Sequence, residues 1–310
     1  MTVTFSGLDQ PYKPLCSYAY FHDRNMDRFM SEVPVQTMLF GDSGAHSART
    51  LGLHLTLEDY AAWCHRWDHH LTLYANLDVI GAPQATWDNQ KRLETEHGLT
   101  PIPVFHTGDP WEWLERYIDD GYTYIALGKL LGNPIPEVLP WLAKAFKIAD
   151  GRAVFHGFGM TVWRALREFP FYSVDSSTWT SSFRFGVVKL FDPARGRFVK
   201  FTMRDKAQLL EHRDLLRAHH ADPMHFATRA TYSRTAATVL AAIAWRRAEE
   251  YLRDRHGPQT IPPSPRDPVA RNGRPPAPAG LHLYLAEPTT TNTVRAAVGV
   301  HQARQRETAA

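Results

Sequence analysis

Over the first 180 residues, short apolar runs alternate with longer amphipathic stretches. Residues 15–20, 37–40, 71–77, 102–105, 122–127, 153–155 and 171–174 are apolar runs too short for buried helices, and they predict buried strands. Between them, residues 57–69, 85–97, 111–119, 137–148 and 161–168 carry helical spacing. Thr56 stands before Glu58 and Asp59 as an N-cap, and Pro110 opens the next-but-one helix at its first turn. Gly98, Gly121 and Gly151 follow three of the helices, where a left-handed cap belongs. Regular strand–helix alternation predicts a parallel sheet with helices on its faces.

Beyond residue 180 the rhythm changes. Residues 187–191 and 197–201, joined by Asp192-Pro193-Ala194-Arg195-Gly196, predict a β-hairpin, and helices are expected over 205–219 and 231–255. Residues 257–280 are rich in Pro, Gly and Arg without periodicity and predict a flexible loop. A last apolar strand, 281–286, precedes a helix over 292–305. That strand is the eighth of the parallel set. The expected fold is therefore one (β/α)₈ TIM-barrel domain over 1–310, with a hairpin and helical insertion at 187–256 before the closing segment 281–310.

Composition adds three constraints. No run of about 18 apolar residues and no secretory-type leader stands out, so a soluble, cytoplasmic protein without membrane contact is expected. The 2 cysteines, Cys16 and Cys64, are too few for a disulfide framework or a thiolate zinc site. The net charge of +3 conceals a polarity: residues 1–180 hold 14 Lys+Arg against 21 Asp+Glu, and residues 181–310 hold 21 against 11. The basic half suits an anionic partner. Arg184, Lys189, Arg195, Arg197 and Lys200 on and beside the hairpin are the candidates for phosphate contacts, whereas Arg246, Arg247, Arg253 and Arg255 are expected on a solvated helix face.

In a parallel α/β barrel the chemistry lies at the carboxyl ends of the strands. Six successive predicted strands run into polar groups there: Asp42-Ser43-Gly44-Ala45-His46, Asn76-Leu77-Asp78, His106-Thr107-Gly108, Gly128-Lys129, His156-Gly157-Phe158-Gly159 and Asp175-Ser176-Ser177. Singly, such groups are ordinary turns and caps. Together they bring three carboxylates to one mouth. Two carboxylates facing a glycosidic carbon suit a double displacement, one attacking the carbon and the other moving protons. A third accepts the two hydrogen bonds of a guanine edge.

The ordered series Asp42-Ser-Gly-Ala, Asn-Leu-Asp78, Pro-Val-Phe-His106, Ala-Leu-Gly128-Lys, His156-Gly-Phe-Gly and Ser-Val-Asp175-Ser, over residues 35 to 180, resembles the tRNA-guanine transglycosylase superfamily. It is most similar to the compact branch that inserts 7-deazaguanines into DNA in phages and bacterial DNA-modification islands. The resemblance implies Asp175 as the nucleophile that bonds to C1′, Asp42 as general acid/base, Asp78 as reader of the purine edge, and the Gly128–Lys129 backbone as binder of the base carbonyl. It implies DNA as the polymer, with tRNA the alternative, and 7-cyano-7-deazaguanine or a derivative as the incoming base, with no cofactor. The Cys₃His zinc site of the tRNA enzymes is missing, which favours DNA. His46 stands where the family has an aromatic, His156 where a methionine lies under the base, His106 replaces a glutamine, and Lys129 replaces a glycine. The two imidazoles of His46 and His156 are expected to sandwich the flipped base, with Gly157 beside them. Trp179 and Phe183 are read as core rather than stacking residues. No catalytic metal is expected, because the pairs His69-His70 and His219-His220 should diverge on helices and chelate poorly. A nucleoside or glycoside hydrolase and a non-catalytic nucleic-acid-binding protein are the competing readings.

Overall fold

The structure, a computed structural model, describes residues 11–33, 36–130, 133–177, 179, 185–266, 268, 278–286 and 290–308. Eight strands form one parallel sheet: β1 (Pro14–Ser17), β2 (Leu39–Asp42), β3 (Leu71–Tyr74), β4 (Val104–His106), β5 (Tyr124–Gly128), β6 (Val154–Gly157) and β7 (Ser173–Ser176), then, after the antiparallel hairpin β8 (Val187–Asp192) and β9 (Arg197–Thr202), the strand β10 (His282–Ala286). Their spatial order is β3-β2-β1-β10-β7-β6-β5-β4. Almost every strand residue is buried, as a sheet covered on both faces requires.

The expected closure is not a continuous ladder. β3 and β4 are the edges of the sheet, and past the end of β3 a single parallel bridge among the described residues, Ala75 with Ile102, joins them. Ile102 N–H donates to Tyr74 O and Asn76 N–H to Ile102 O, both at 2.9 Å. Side chains alternate between two cores. Leu39, Phe105, Ile125, Phe155 and Val174 face the helices, whereas Leu15, Phe40, Leu73, Val104, Tyr124, Ala126 and Tyr284 form a separate cluster on the other face. That second cluster gathers residues from β1, β2, β3, β4, β5 and β10, so the sheet is strongly curled.

The flanking helices have local reasons to form. Leu57–Trp67 is capped by the Thr56 hydroxyl, which accepts from Asp59 N–H at 3.1 Å, and it buries Tyr60, Trp63, Cys64 and Trp67 on one side. Trp111–Asp119 turns Leu114, Tyr117 and Ile118 inward and carries Glu112 in its first turn. Ile135–Ala149 stops at Asp150, whose φ of 45° is left-handed. Between β7 and β10 the hairpin and the helices Lys206–Glu211 and Arg213–Ala218 enclose a third cluster with Val188, Leu190, Phe201, Leu216, Phe226 and Leu240. Helices Arg234–His256 and Thr290–Thr308 pack on one another. Among the described residues no helix is long and apolar enough to cross a membrane.

Several expectations need correction. The first strand ends at Ser17, and residues 18–21 turn into a short helix. The helix expected over 205–219 is two, broken at His212. The predicted solvated face of the long helix is half wrong, because Arg246 and Arg247 are each only 4% exposed. Arg246 donates to Pro11 O at 3.1 Å and lies 3.6 Å from Glu249, and Arg247 lies 3.4 Å from His219 Nδ1. Glu249 in turn pairs with the fully buried Lys13 just before β1 and accepts from Leu283 N–H of β10. The described part of the Pro-rich segment is tied down rather than loose. Arg266 pairs with Glu94 at 2.8 Å, Ser264 donates to Gly121 O, and Gln259 bridges to Gly280. Trp179 is buried and donates its indole N–H to Ala286 O, while Phe183 lies outside the described residues.

Candidate active site

The carboxyl ends of the strands surround a cavity of about 650 Å³. Its lining includes Asp42, Asp78, Asp175, His46, His106, Gly128 and Lys129. Parallel register produces this convergence: Asp42, His106 and Gly128 are the last residues of β2, β4 and β5, Asp175 is the last but one of β7, and Asp78 follows β3 by four residues.

Asp42 leads into a sharp turn. Its Oδ2 accepts from Gly44 N–H at 3.1 Å, and Gly44, with φ 76°, begins the helix Ala45–Leu51. A Cβ at Gly44 would lie 2.3 Å from Ser17 Oγ, so both the left-handed backbone and the close approach to β1 demand glycine. Burial, then the neighbouring charges of Asp78 and Asp175, push the Asp42 carboxyl up to about 7, against the smaller pull of the Ser17 hydroxyl and the Gly44 amide. At neutral pH this carboxyl is poised between holding and releasing a proton.

Asp78 is fixed through both oxygens. Ser43 donates its hydroxyl to Oδ1 at 3.0 Å, and His106 Nε2 lies 2.8 Å from Oδ2. Each oxygen keeps a further lone pair for a ligand. His106 is itself held from behind: its backbone N–H donates to Asp109 Oδ2 at 3.1 Å, and its Nδ1 lies 3.5 Å from the same oxygen. Burial works against the charged ring, but the bonds and charges of Asp109 and Asp78 outweigh it and lift His106 to about 9. The imidazolium therefore sits between two carboxylates. Gly128 makes room for it, since a Cβ there would come within 2.6 Å of the His106 ring. The next residue, Lys129, has a left-handed φ of 57°, the backbone state that a glycine would take without strain. Its carbonyl is clamped by Thr107 Oγ1 at 2.8 Å and Asn133 Nδ2 at 2.7 Å.

Asp175 is 6% exposed. Its Oδ1 accepts from Gly159 N–H at 2.7 Å and lies 3.4 Å from His156 Nε2, which leaves Oδ2 without a partner among the described residues. A nucleophilic carboxylate needs this arrangement, with one oxygen anchored and the other available. His156 is fully buried, and burial holds its ring below the usual histidine range despite Asp175. Its Nδ1 is 2.6 Å from Ser173 Oγ, which is 2.6 Å from Tyr124 OH. This chain of hydroxyls orients the ring under Asp175.

The proposed imidazole sandwich is not what the structure contains. His46 is exposed and lines the cavity, but His156 lies beneath Asp175, packed between the rings of Phe40 and Phe158 at 4.7 and 4.6 Å. Gly157 likewise packs against Met160, Phe171 and Val174. Phe158 and Gly159, the next two residues, are the ones that reach the cavity. The shift by two follows from the strand: β6 ends at Gly157, and the chain turns over the mouth only after it. Sequence reasoning placed Ser43 at the mouth without giving it a role, and it missed Asp109, Ser173 and Tyr20. Of these three, Asp109, three residues after His106 in a tight turn, had a local signal.

The hairpin cations lie apart from this cavity's lining. Arg195, Arg197 and Lys200 are exposed, Arg195 lying 3.6 Å from Asp192. Lys189 is half-buried opposite Lys200, and its burial lowers its affinity for a proton. Arg184 lies outside the described residues. Among the described residues, the grouping with metal-ligand geometry is Asp27, His69 and His70, none of which lines the cavity. Comparisons with family models, with curated proteins and with solved structures return no match.

Proposed function

We propose that the chain is a transglycosylase that replaces guanine in DNA by a 7-deazaguanine, on a (β/α)₈-barrel framework. The observation that carries this reading is the convergence of three carboxylates in three different environments on one cavity: Asp175 anchored through one oxygen, Asp42 poised near neutrality, and Asp78 held as an acceptor. The barrel reading draws support from the inner cluster shared by six strands and from the bridge between the two sheet edges.

In this reading Asp175 attacks C1′ of the flipped nucleotide as the C1′–N9 bond breaks, and protonated Asp42 gives its proton to the departing guanine. The incoming base returns a proton from its N9–H to Asp42, forms the new C1′–N9 bond and releases Asp175. Two displacements retain configuration. Asp78 accepts from the purine N1–H and exocyclic amine, with Ser43 and His106 fixing its oxygens. Tyr20 and Phe158 supply the flat surfaces that a flipped base needs, in place of His156. The two cysteines, Cys16 and Cys64, are both buried in the core and cannot form the tRNA enzymes' zinc module, which supports DNA over tRNA.

The test is base exchange, with the purified protein and radiolabelled guanine offered separately to duplex DNA and to unmodified tRNA. Label is expected in DNA and lost at least a thousandfold in Asp175→Ala. Label in tRNA alone would keep the chemistry and change the polymer. Release of base into water without incorporation would favour a hydrolase.

A further inference from the structure

The adjacent pair His69-His70 does not diverge as residues on a helix would. The preceding helix, Leu57–Trp67, ends before them, and both lie in the turn that leads into β3. Their ring centroids stand 4.1 Å apart, tilted by 43°. Both Nε2 atoms face one oxygen: His69 Nε2 is 2.9 Å and His70 Nε2 2.8 Å from Asp27 Oδ1. Asp27 comes from the helix Met26–Ser31, 42 residues earlier in the chain.

We propose that Asp27, His69 and His70 form a structural binding site for a divalent transition metal of the zinc class. Two imidazoles and one carboxylate are a borderline-soft donor set, suited to zinc, copper or nickel rather than to calcium or magnesium. The spacing fits as well. Ligands about 2.1 Å from a tetrahedral metal stand about 3.4 Å apart, so the two Asp27 contacts, at 2.9 and 2.8 Å, need open by only about 0.5 Å to admit one. All three ligand atoms lie within 4.8 Å of one another. The site is open to water, with Asp27 and His69 side chains 63% and 56% exposed, so solvent completes the coordination. The buried Trp67, with its indole 6.1 and 6.4 Å from the two imidazoles, supports the pair from below and limits their rotation.

The position argues for structure rather than chemistry. His70 immediately precedes Leu71, the first residue of β3, whereas the carboxylate cavity lies at the carboxyl ends of the strands. A metal here would clip the helix after β1 to the entry of β3 and close a long loop. The inference is independent of the transglycosylase reading.

The experiment uses full-length, untagged protein stripped with chelator and titrated calorimetrically with zinc chloride, alongside thermal unfolding. One zinc per chain is expected, with Tm rising by about 4 °C when free zinc is a hundredfold above Kd. His69→Gln, His70→Gln and Asp27→Asn should each weaken binding at least tenfold and abolish the Tm rise. Asp27 and His69 are exposed and His70 partly so, and far-ultraviolet circular dichroism of the variants checks that the fold persists. Calcium should give no shift. Absence of a one-to-one zinc isotherm, or one that survives all three substitutions, would overturn the proposal.

Discussion

Asp42 is the residue on which structure and chemistry pull in opposite directions. Its folded-state proton affinity lies well above that of an exposed carboxyl, so between about pH 4 and pH 7 the folded protein holds a proton that the unfolded chain has released. Stability therefore falls as pH rises through that window, and above it the ionised group is a standing cost beside Asp78 and Asp175. Asp42→Asn removes the charge and keeps the shape. It should stabilise the protein by about 2 kcal/mol at pH 8, after discounting for solvent in the cavity, and by nearly nothing at pH 4. Base exchange should be lost in the same variant. Denaturant unfolding at the two pH values measures the first effect, and a stability gain that does not grow with pH would contradict the assignment. The residue was legible from the sequence because Asp-Ser-Gly follows a strand. Its raised proton affinity was not, because that depends on Asp78 and Asp175 arriving from elsewhere in the chain.

At the scale of elements, periodicity located the strands and most helices but not what holds them together. The helix Trp111–Asp119 was readable to the residue, since a proline start and an amphipathic repeat are local signals. The long helix Arg234–His256 was placed correctly, but the setting of its charges was not. Arg246 and Glu249 turn inward because Lys13, more than 200 residues away in sequence, is buried against them. Burial pushes Lys13 down from its usual range, and burial also works against the Glu249 carboxylate, but the charges of Lys13 and Arg246 outweigh it and hold Glu249 low. This cluster seams the helix to β1 and β10. Lys13→Met should cost about 3 kcal/mol in equilibrium unfolding, because it takes the nearest cation from a buried carboxylate and leaves it only Arg246 at 3.6 Å and the Leu283 amide. Adding Glu249→Gln should recover a large part of that loss. If the double variant is no more stable than the single one, the pair is not the seam described.

For the whole molecule, the parallel α/β architecture followed from strand–helix alternation, whereas the edges of the sheet meet, among the described residues, through the one bridge of Ala75 with Ile102. The cavity lies where parallel strands must deliver their carboxyl-end residues, and for that reason seven of the nine expected catalytic and base-binding residues line it. His156 and Gly157 fall below it because the sequence does not show where β6 ends and the chain turns. The basic hairpin buries Val188, Leu190 and Phe201 in a cluster of its own and Phe191 in the main core, and it leaves Arg195, Arg197 and Lys200 exposed, away from the lining of the carboxylate mouth. In the proposed mechanism Asp175 becomes covalently attached to the sugar. Its most direct test is to incubate the protein with guanine-containing duplex DNA without any incoming base, denature it, and measure the mass of what remains joined. A denaturation-resistant complex lighter than protein plus DNA by one guanine is expected, absent in Asp175→Ala. Guanine release with no such complex, or a complex that survives Asp175→Ala, would contradict it.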